Sequence, residues 1–243
     1  PNRLLSWLRM ISVLLGTVTI ACVHRLGRVC CPEVPRIGDL AALLTACLPM
    51  WSALHGLLHN DVLATALSSA TILMLATLLR AKQANTKQGI ALGLLLGLAF
   101  LTKMTTLFLG GLSALAAVVL LRRRQTNITT VVAATITTLA VCGWMFARNY
   151  WLYHDPLALN AHDQSFLPLP AEARWLYFFG SDPWPETTPS FLPTVFTSLF
   201  GRFGWFHLPP HPALVTCGAF VATIAGVGFV RALCDKGRKY VPH

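Results

Sequence analysis

Lys103 stands alone in an otherwise uncharged apolar run that extends from Ile90 to Leu121. A lysine at the centre of a bilayer costs roughly 2.5–3.5 kcal/mol on insertion scales. Its ammonium must therefore snorkel, be paired, or lie away from the centre. Arg9, Arg148 and Arg202 are likewise set in or beside apolar sequence. Cations brought together from different segments suit a phosphate or pyrophosphate, which a guanidinium grips through a two-pronged fork and an ammonium meets as a point charge. For any one of them taken singly, snorkelling or pairing with a nearby acid is the plainer role. Close to these cations along the chain stand His55, His59, Asp61, His154 and Asp155, with Asn60 and Asn149 beside them. Asp61 opens a helical stretch, where a short acceptor ordinarily caps orphan amides. A carboxylate there can also take the proton of a hydroxyl nucleophile. His55 and His59 are four apart, a spacing that suits two metal ligands on one helix face. No third or fourth ligand follows from spacing, so a divalent metal is an optional cofactor and a hydrogen-bonded helix end the simpler account.

Composition says what must position these groups. The chain is 55% hydrophobic and 12% charged, about half the charged fraction of an ordinary soluble domain. Several apolar stretches reach the roughly 20 residues that span a bilayer as helix. The expected fold is all-α: a polytopic transmembrane helical bundle forming one domain over residues 1–243. The net charge of +10 does not point to nucleic acid, because the basic residues gather at the ends of apolar runs, as they do at cytoplasmic membrane faces. The seven cysteines show neither a pairing framework nor a metal-binding spacing and read as reduced thiols or small apolar fillers. The chain starts at Pro1 without a leader and reads as a piece of a longer protein.

Six apolar stretches can be drawn, at about 8–23, 37–58, 62–79, 90–121, 128–150 and 213–233. With HRLGR, RAKQANTK, RRR and KGRK inside, thirteen of the nineteen Lys and Arg residues fall on the cytoplasmic side, and six of the nine acids fall outside. Both ends of the 90–121 stretch are then inside. As one helix it would be about 48 Å long against a core of about 30 Å, so it is expected to go out and return, with Thr102 and Lys103 at the outer tip. That makes about seven membrane legs. The competing arrangement is one long tilted helix with Lys103 buried and paired. Gly89, Gly93 and Gly97, and again Gly218, Ala222 and Gly226, form small-residue ridges for close helix approach. A large aromatic outer loop over 154–210 carries Trp175, Tyr177, Trp205 and Phe206. It includes an apolar pattern after Pro193 that fits an interfacial helix, and it serves either as a plain aromatic belt or as a platform for lipid.

Several segments resemble GT-C membrane glycosyltransferases. The segment RMISVLLGTVTI…HRLGR, with Arg9, Ser12, Gly16, Arg25, Gly27 and Arg28, is similar to their second helix; LLTACLPMW…HNDVLA contributes Pro49, Asn60 and Asp61. GLLLGLAFLTKMTTLFL, with Gly93, Gly97, Thr102 and Lys103, is similar to their short helical pair, and ARNYWLYHDPLAL (Arg148, Asn149, Asp155, Pro156) to the entry of their outer loop. FGRFGWFHLPP, with Gly201, Phe203, Gly204 and Trp205, resembles a protein-mannosyltransferase-like branch. The resemblance extends from about residue 3 to 235.

It implies an inverting transfer of sugar from a polyprenyl-phosphate carrier to a lipid, glycan or protein acceptor at the outer face, in a multi-pass protein expected in a bacterial plasma membrane. Lys103, Arg148, Arg9 and Arg202 would bind the carrier phosphate, the aromatic loop its prenyl chain, and Asp61 or Asp155 would stand in as catalytic carboxylates. In that family the principal carboxylate lies in the loop between the first and second helices, which this chain is expected to lack. The alternative is a non-catalytic subunit that keeps the fold and acts as a scaffold among other membrane subunits. A transporter would call for inverted repeats and mid-membrane polar breaks, and neither is evident.

Overall fold

The computed structural model describes residues 2–159, 191–200 and 210–238. The helices are α1 (Asn2–Cys30), α2 (Arg36–Cys47), α3 (Pro49–His55), α4 (Asn60–Arg80), α5 (Thr86–Thr102), a 3-10 turn (Met104–Leu107), α6 (Phe108–Arg122), α7 (Ile128–Tyr153), α8 (Phe191–Ser198) and α9 (Pro212–Arg238). The described residues contain no strand. The chain divides into two compact units, residues 1–47 with 51–168, and residues 48–50 with 169–243.

Four helices are long and apolar enough to cross a membrane: Arg3–Cys30, Asn60–Arg80, Met104–Arg122 and Ile128–Tyr153. A fifth crossing results if α2 and α3, bent by 69° at Leu48, count as one span. Pro49 explains the bend, because a proline drives the residue before it out of helical geometry while itself suiting a first helical position. Two further apolar helical stretches, Thr86–Thr102 and the Pro212–Gly228 part of α9, are shorter. The outer faces of α1, α7 and α9 are rich in exposed large apolar side chains, Trp7, Ile136 and Phe220 among them. This is the surface of a multi-pass integral membrane protein, with lipid as its solvent.

In the first unit α1 runs parallel to α4, Arg80 Nη2 donating to the Cys30 carbonyl at 2.6 Å. α2 folds back on α1 where Gly27 faces Gly38 so closely that a Cβ at Gly27 would lie 2.7 Å from the Gly38 Cα. His24 Nε2 meets Asp39 Oδ1 at 2.9 Å across the same pair. Leu75, Leu78, Leu92, Leu96, Ala99 and Leu109 join α4, α5 and α6 in one buried cluster.

The 90–121 stretch is two antiparallel legs. The Ala84 N–H, just before α5, donates to the Gln125 carbonyl, just after α6, at 2.7 Å. Gln125 Nε2 donates to the Ala81 carbonyl at 3.1 Å. At the other end the Phe100 ring lies against Gly110. The unbroken tilted helix is excluded.

The glycine ridge of α5 packs on α7 in constant parallel register. Gly89 meets Thr130, Gly93 meets Ala134, and a Cβ at Gly97 would stand 2.6 Å from the Cβ of Val141. Backbone approach this close requires residues without side chains. Thr138 Oγ1 reaches the Gly93 carbonyl at 3.2 Å and its own Ala134 carbonyl at 2.9 Å. The second ridge departs from expectation. Gly226 faces open space, and Gly218 is covered by the ring of Phe200, a contact within the second unit.

Candidate functional site

The hairpin tip is made by a break in helical geometry at Lys103 rather than by proline or glycine. Lys103 is extended, with φ −160° and ψ 134°. Its N–H still closes the last turn of α5 on the Ala99 carbonyl at 3.2 Å. The hydroxyl of Thr106, a residue only 3% exposed, lies 2.8 Å from the Ala99 carbonyl and 2.7 Å from that of Lys103. The Thr106 N–H also donates to the Lys103 carbonyl at 3.0 Å. Each of these two carbonyls already accepts one backbone N–H, and the Thr106 hydroxyl adds a donor within reach of both across the break. Thr106 thereby ties the two sides of the break together where the lysine side chain leaves the hairpin.

That side chain meets Asp61. Lys103 Nζ and Asp61 Oδ1 form an ion pair, with the two side chains 34% and 29% exposed. Asp61 stands at the start of α4, so the pair lies at the end of the bundle opposite the clamped turns at residues 81–84 and 125. The seventeen residues of α5 set those two ends about 25 Å apart. Asp61 is not the cap of its helix: His59 is, its Nδ1 accepting the Asp61 N–H at 3.2 Å. The same Nδ1 lies 3.0 Å from Asp61 Oδ2. One ring nitrogen cannot accept and donate at once. Neutral with a free Nδ1 lone pair, His59 caps the amide; protonated there, it donates to the carboxylate.

His55 and His59 do not share a helix face. His55 is the last residue of α3, where the Gly56 and Leu57 amides close the turn, and His59 precedes α4. Nδ1 of His55 donates to the Trp51 carbonyl at 2.8 Å. The imidazole ring lies 3.9 Å from the Trp51 ring, centre to centre, and is packed so tightly on Gly16 that a Cβ there would fall 2.5 Å from its Cδ2. No three His, Cys, Asp or Glu residues among those described are grouped so as to hold a metal ion.

The other candidates are more dispersed. Arg148 is exposed on α7. Extending the α5–α7 register puts it about one turn, or roughly 6 Å, beyond the level of Lys103. Arg9 is exposed on α1. Neither forms an ion pair with another described residue. Asn149 is buried and donates from Nδ2 to the Pro156 carbonyl at 3.2 Å. Asp155 Oδ1 accepts the Leu157 N–H at 3.0 Å, an Asx-type turn beyond the left-handed His154 that ends α7. Arg202, Trp175, Tyr177, Trp205 and Phe206 lie outside the described residues, as does most of the 154–210 loop. Within the 154–210 stretch a short helix, α8, covers Phe191–Ser198. Cys22, Cys30, Cys31, Cys47, Cys142 and Cys217 are free thiols. Sequence reasoning missed Thr106; it did single out His59, and preferred a hydrogen-bonded helix end for it over a metal, but paired it with His55 rather than with Asp61. A threonine three residues after a charge inside an apolar run is the one local sign of the clasp, and nothing in the sequence singles out a histidine as cap.

Residues 5–151 match the family of dolichyl-phosphate-mannose-protein mannosyltransferases. The match covers well over half of the chain and includes α1 through most of α7, with Asp61, Lys103 and Arg148 inside it. The chain belongs to that family, whose members are membrane glycosyltransferases that depend on a polyprenyl-phosphate sugar donor. Asp155, Arg202 and the FGRFGWFHLPP segment fall beyond the matched stretch. No curated protein and no solved structure gives a significant match.

Proposed function

We propose that the intact protein transfers a sugar from a polyprenyl-phosphate carrier to an acceptor hydroxyl at the extracytoplasmic face of a bacterial plasma membrane. The Asp61–Lys103 pair, at the end of the bundle opposite the basic turns, carries this reading. An ammonium has three N–H donors. Asp61 takes one and fixes the direction of the side chain, leaving two for a phosphate oxygen. Arg148, about a turn further out, together with Arg9 and Arg202, would complete the phosphate site. In the reaction the acceptor oxygen bonds to the anomeric carbon as the bond from that carbon to the phosphate oxygen breaks, with inversion. The acceptor proton passes to a carboxylate, for which Asp61 and Asp155 are the candidates. The charge left on the phosphate is stabilised by Lys103 and Arg148. Trp175, Tyr177, Trp205 and Phe206 would seat the prenyl chain or acceptor. Counting α5 as a short crossing, α2 with α3 as one, and α9 as another gives the seven legs this arrangement needs.

The test uses the full-length protein in liposomes with labelled polyprenyl-phosphate sugars. Lys103→Ala is expected to lower transfer about 100-fold or more, the scale at which one charge-stabilising donor acts, with insertion unchanged. Wild-type turnover in that variant would remove Lys103 from the site. Absence of transfer by the wild type with every donor tried would favour the scaffold role.

A further inference from the structure

Between α6 and α7 the first unit contains an open apolar cavity of about 280 Å³. Both helices pack on the α4–α5 layer but scarcely touch each other, and α5 forms the floor. The groove runs from Phe100 and Gly110, near the hairpin tip, to Leu120, Ala84 and Thr126 at the opposite end. The ten residues of α6 between Gly110 and Leu120 span about 15 Å, the depth of one leaflet of the hydrocarbon core.

The two ends differ in charge. At the tip the one lysine is already neutralised by Asp61, and a single further cation of α7, Arg148, stands about a turn beyond it. At the far end the Ala84–Gln125 and Gln125–Ala81 hydrogen bonds clamp two basic segments together. RAKQANTKQG (80–89) and RRRQTN (122–127) bring six Lys and Arg residues and no acid. Arg122, Arg123 and Arg124 are exposed and lie along the chain between two residues of the groove wall, Leu120 and Thr126. Thr126 is 8% exposed, and its Oγ1, buried, has no hydrogen-bond partner. An apolar trough one leaflet deep, with an unmet hydroxyl and an acid-free cluster of cations at one mouth, matches a lipid with an anionic headgroup.

We propose that the groove holds one acyl chain of an anionic phospholipid from the leaflet on the basic side, with its phosphate on the 122–124 arginines and an ester or phosphate oxygen on Thr126 Oγ1. The site is separate from the donor-phosphate site at Lys103 and does not depend on the proposed catalysis. The full-length protein in nanodiscs, with lipid retention after delipidation read by native mass spectrometry, tests it with phosphatidylglycerol against phosphatidylcholine. Phosphatidylglycerol is expected to be retained selectively. Arg123→Gln/Arg124→Gln should lower that selectivity roughly thirtyfold, the loss two interfacial arginines carry, and Ala117→Trp, which fills the groove, should abolish retention. Should Ala117→Trp fail to fold, a photoactivatable phosphatidylglycerol must crosslink to α6 and α7 in the wild type. Equal retention of the two lipids, crosslinks confined to other helices, or occupancy by a polyprenyl phosphate lost with Lys103→Ala but not with the arginine pair would each overturn the proposal.

Discussion

At the scale of single residues, the ion pair of Asp61 and Lys103 is the group on which most depends. Removing one partner leaves the other charge in poorly solvated surroundings, whereas replacing both by uncharged groups of similar shape does not. Both side chains keep about a third of their exposure, which reduces the penalty below that of a fully buried pair. Asp61→Asn is expected to destabilise the protein by about 1–3 kcal/mol, read as a lower thermal midpoint in detergent. Asp61→Asn/Lys103→Met should recover most of the loss, and transfer activity should stay low in both. Recovery of activity in the double variant would show that the pair serves only the fold. This partnership was half legible in the sequence. Lys103 announced itself by its isolation, and Asp61 by opening a helix; their meeting depends on α4 and the hairpin tip ending at the same level, which no local pattern encodes. Capping, the simplest role for Asp61, belongs instead to His59.

At the scale of elements, the hairpin was legible because its length exceeds a bilayer and both its ends are basic. The means of turning was not: neither proline nor glycine stands at Lys103, and the break relies on Thr106. Thr106→Val keeps the shape of the side chain and removes the hydroxyl, leaving the Ala99 carbonyl with the Lys103 N–H alone. A cost of about 0.5–1.5 kcal/mol follows from one lost hydrogen bond. Chemical denaturation in mixed micelles should show it, together with weakened donor binding as the lysine loses its fixed exit point. An unchanged midpoint would mean that the 3-10 turn holds without the clasp. The ridge at Gly89, Gly93 and Gly97 could be read from spacing alone, because close approach needs small residues on one face; its partner α7 could not. The similar pattern at Gly218, Ala222 and Gly226 shows the limit of that signal, since Gly226 meets nothing and Gly218 meets a phenylalanine ring.

At the scale of the whole molecule, the charge asymmetry gave the arrangement of the ends. Residues Arg80–Lys87 and Arg122–Arg124 come together at one end, and Asp61 and Lys103 at the other. Cysteines placed at Leu57 and at Asn127, both exposed, are therefore expected to react with a membrane-impermeant maleimide from opposite sides, Leu57→Cys in intact cells and Asn127→Cys only after permeabilisation. Labelling of Asn127→Cys in intact cells and of Leu57→Cys only after permeabilisation would invert the proposed active face, and labelling of both from one side would refute the separation of the two ends. The count of crossings was less legible, because α5, at seventeen residues, is shorter than a full span and only tertiary neighbours can make a short helix adequate.

The unequal seating of the two hairpin legs has a mechanical consequence. The outgoing leg is keyed to α7 by a repeating backbone interlock and behaves with it as a single rod. The returning leg has no such key on that side, so its swing would widen or narrow the slot beside it while the lysine, anchored on the keyed rod and tethered by aspartate, stays in place. The width of a lipid slot and the position of a separate charged amine can thus be set by different parts of one short hairpin.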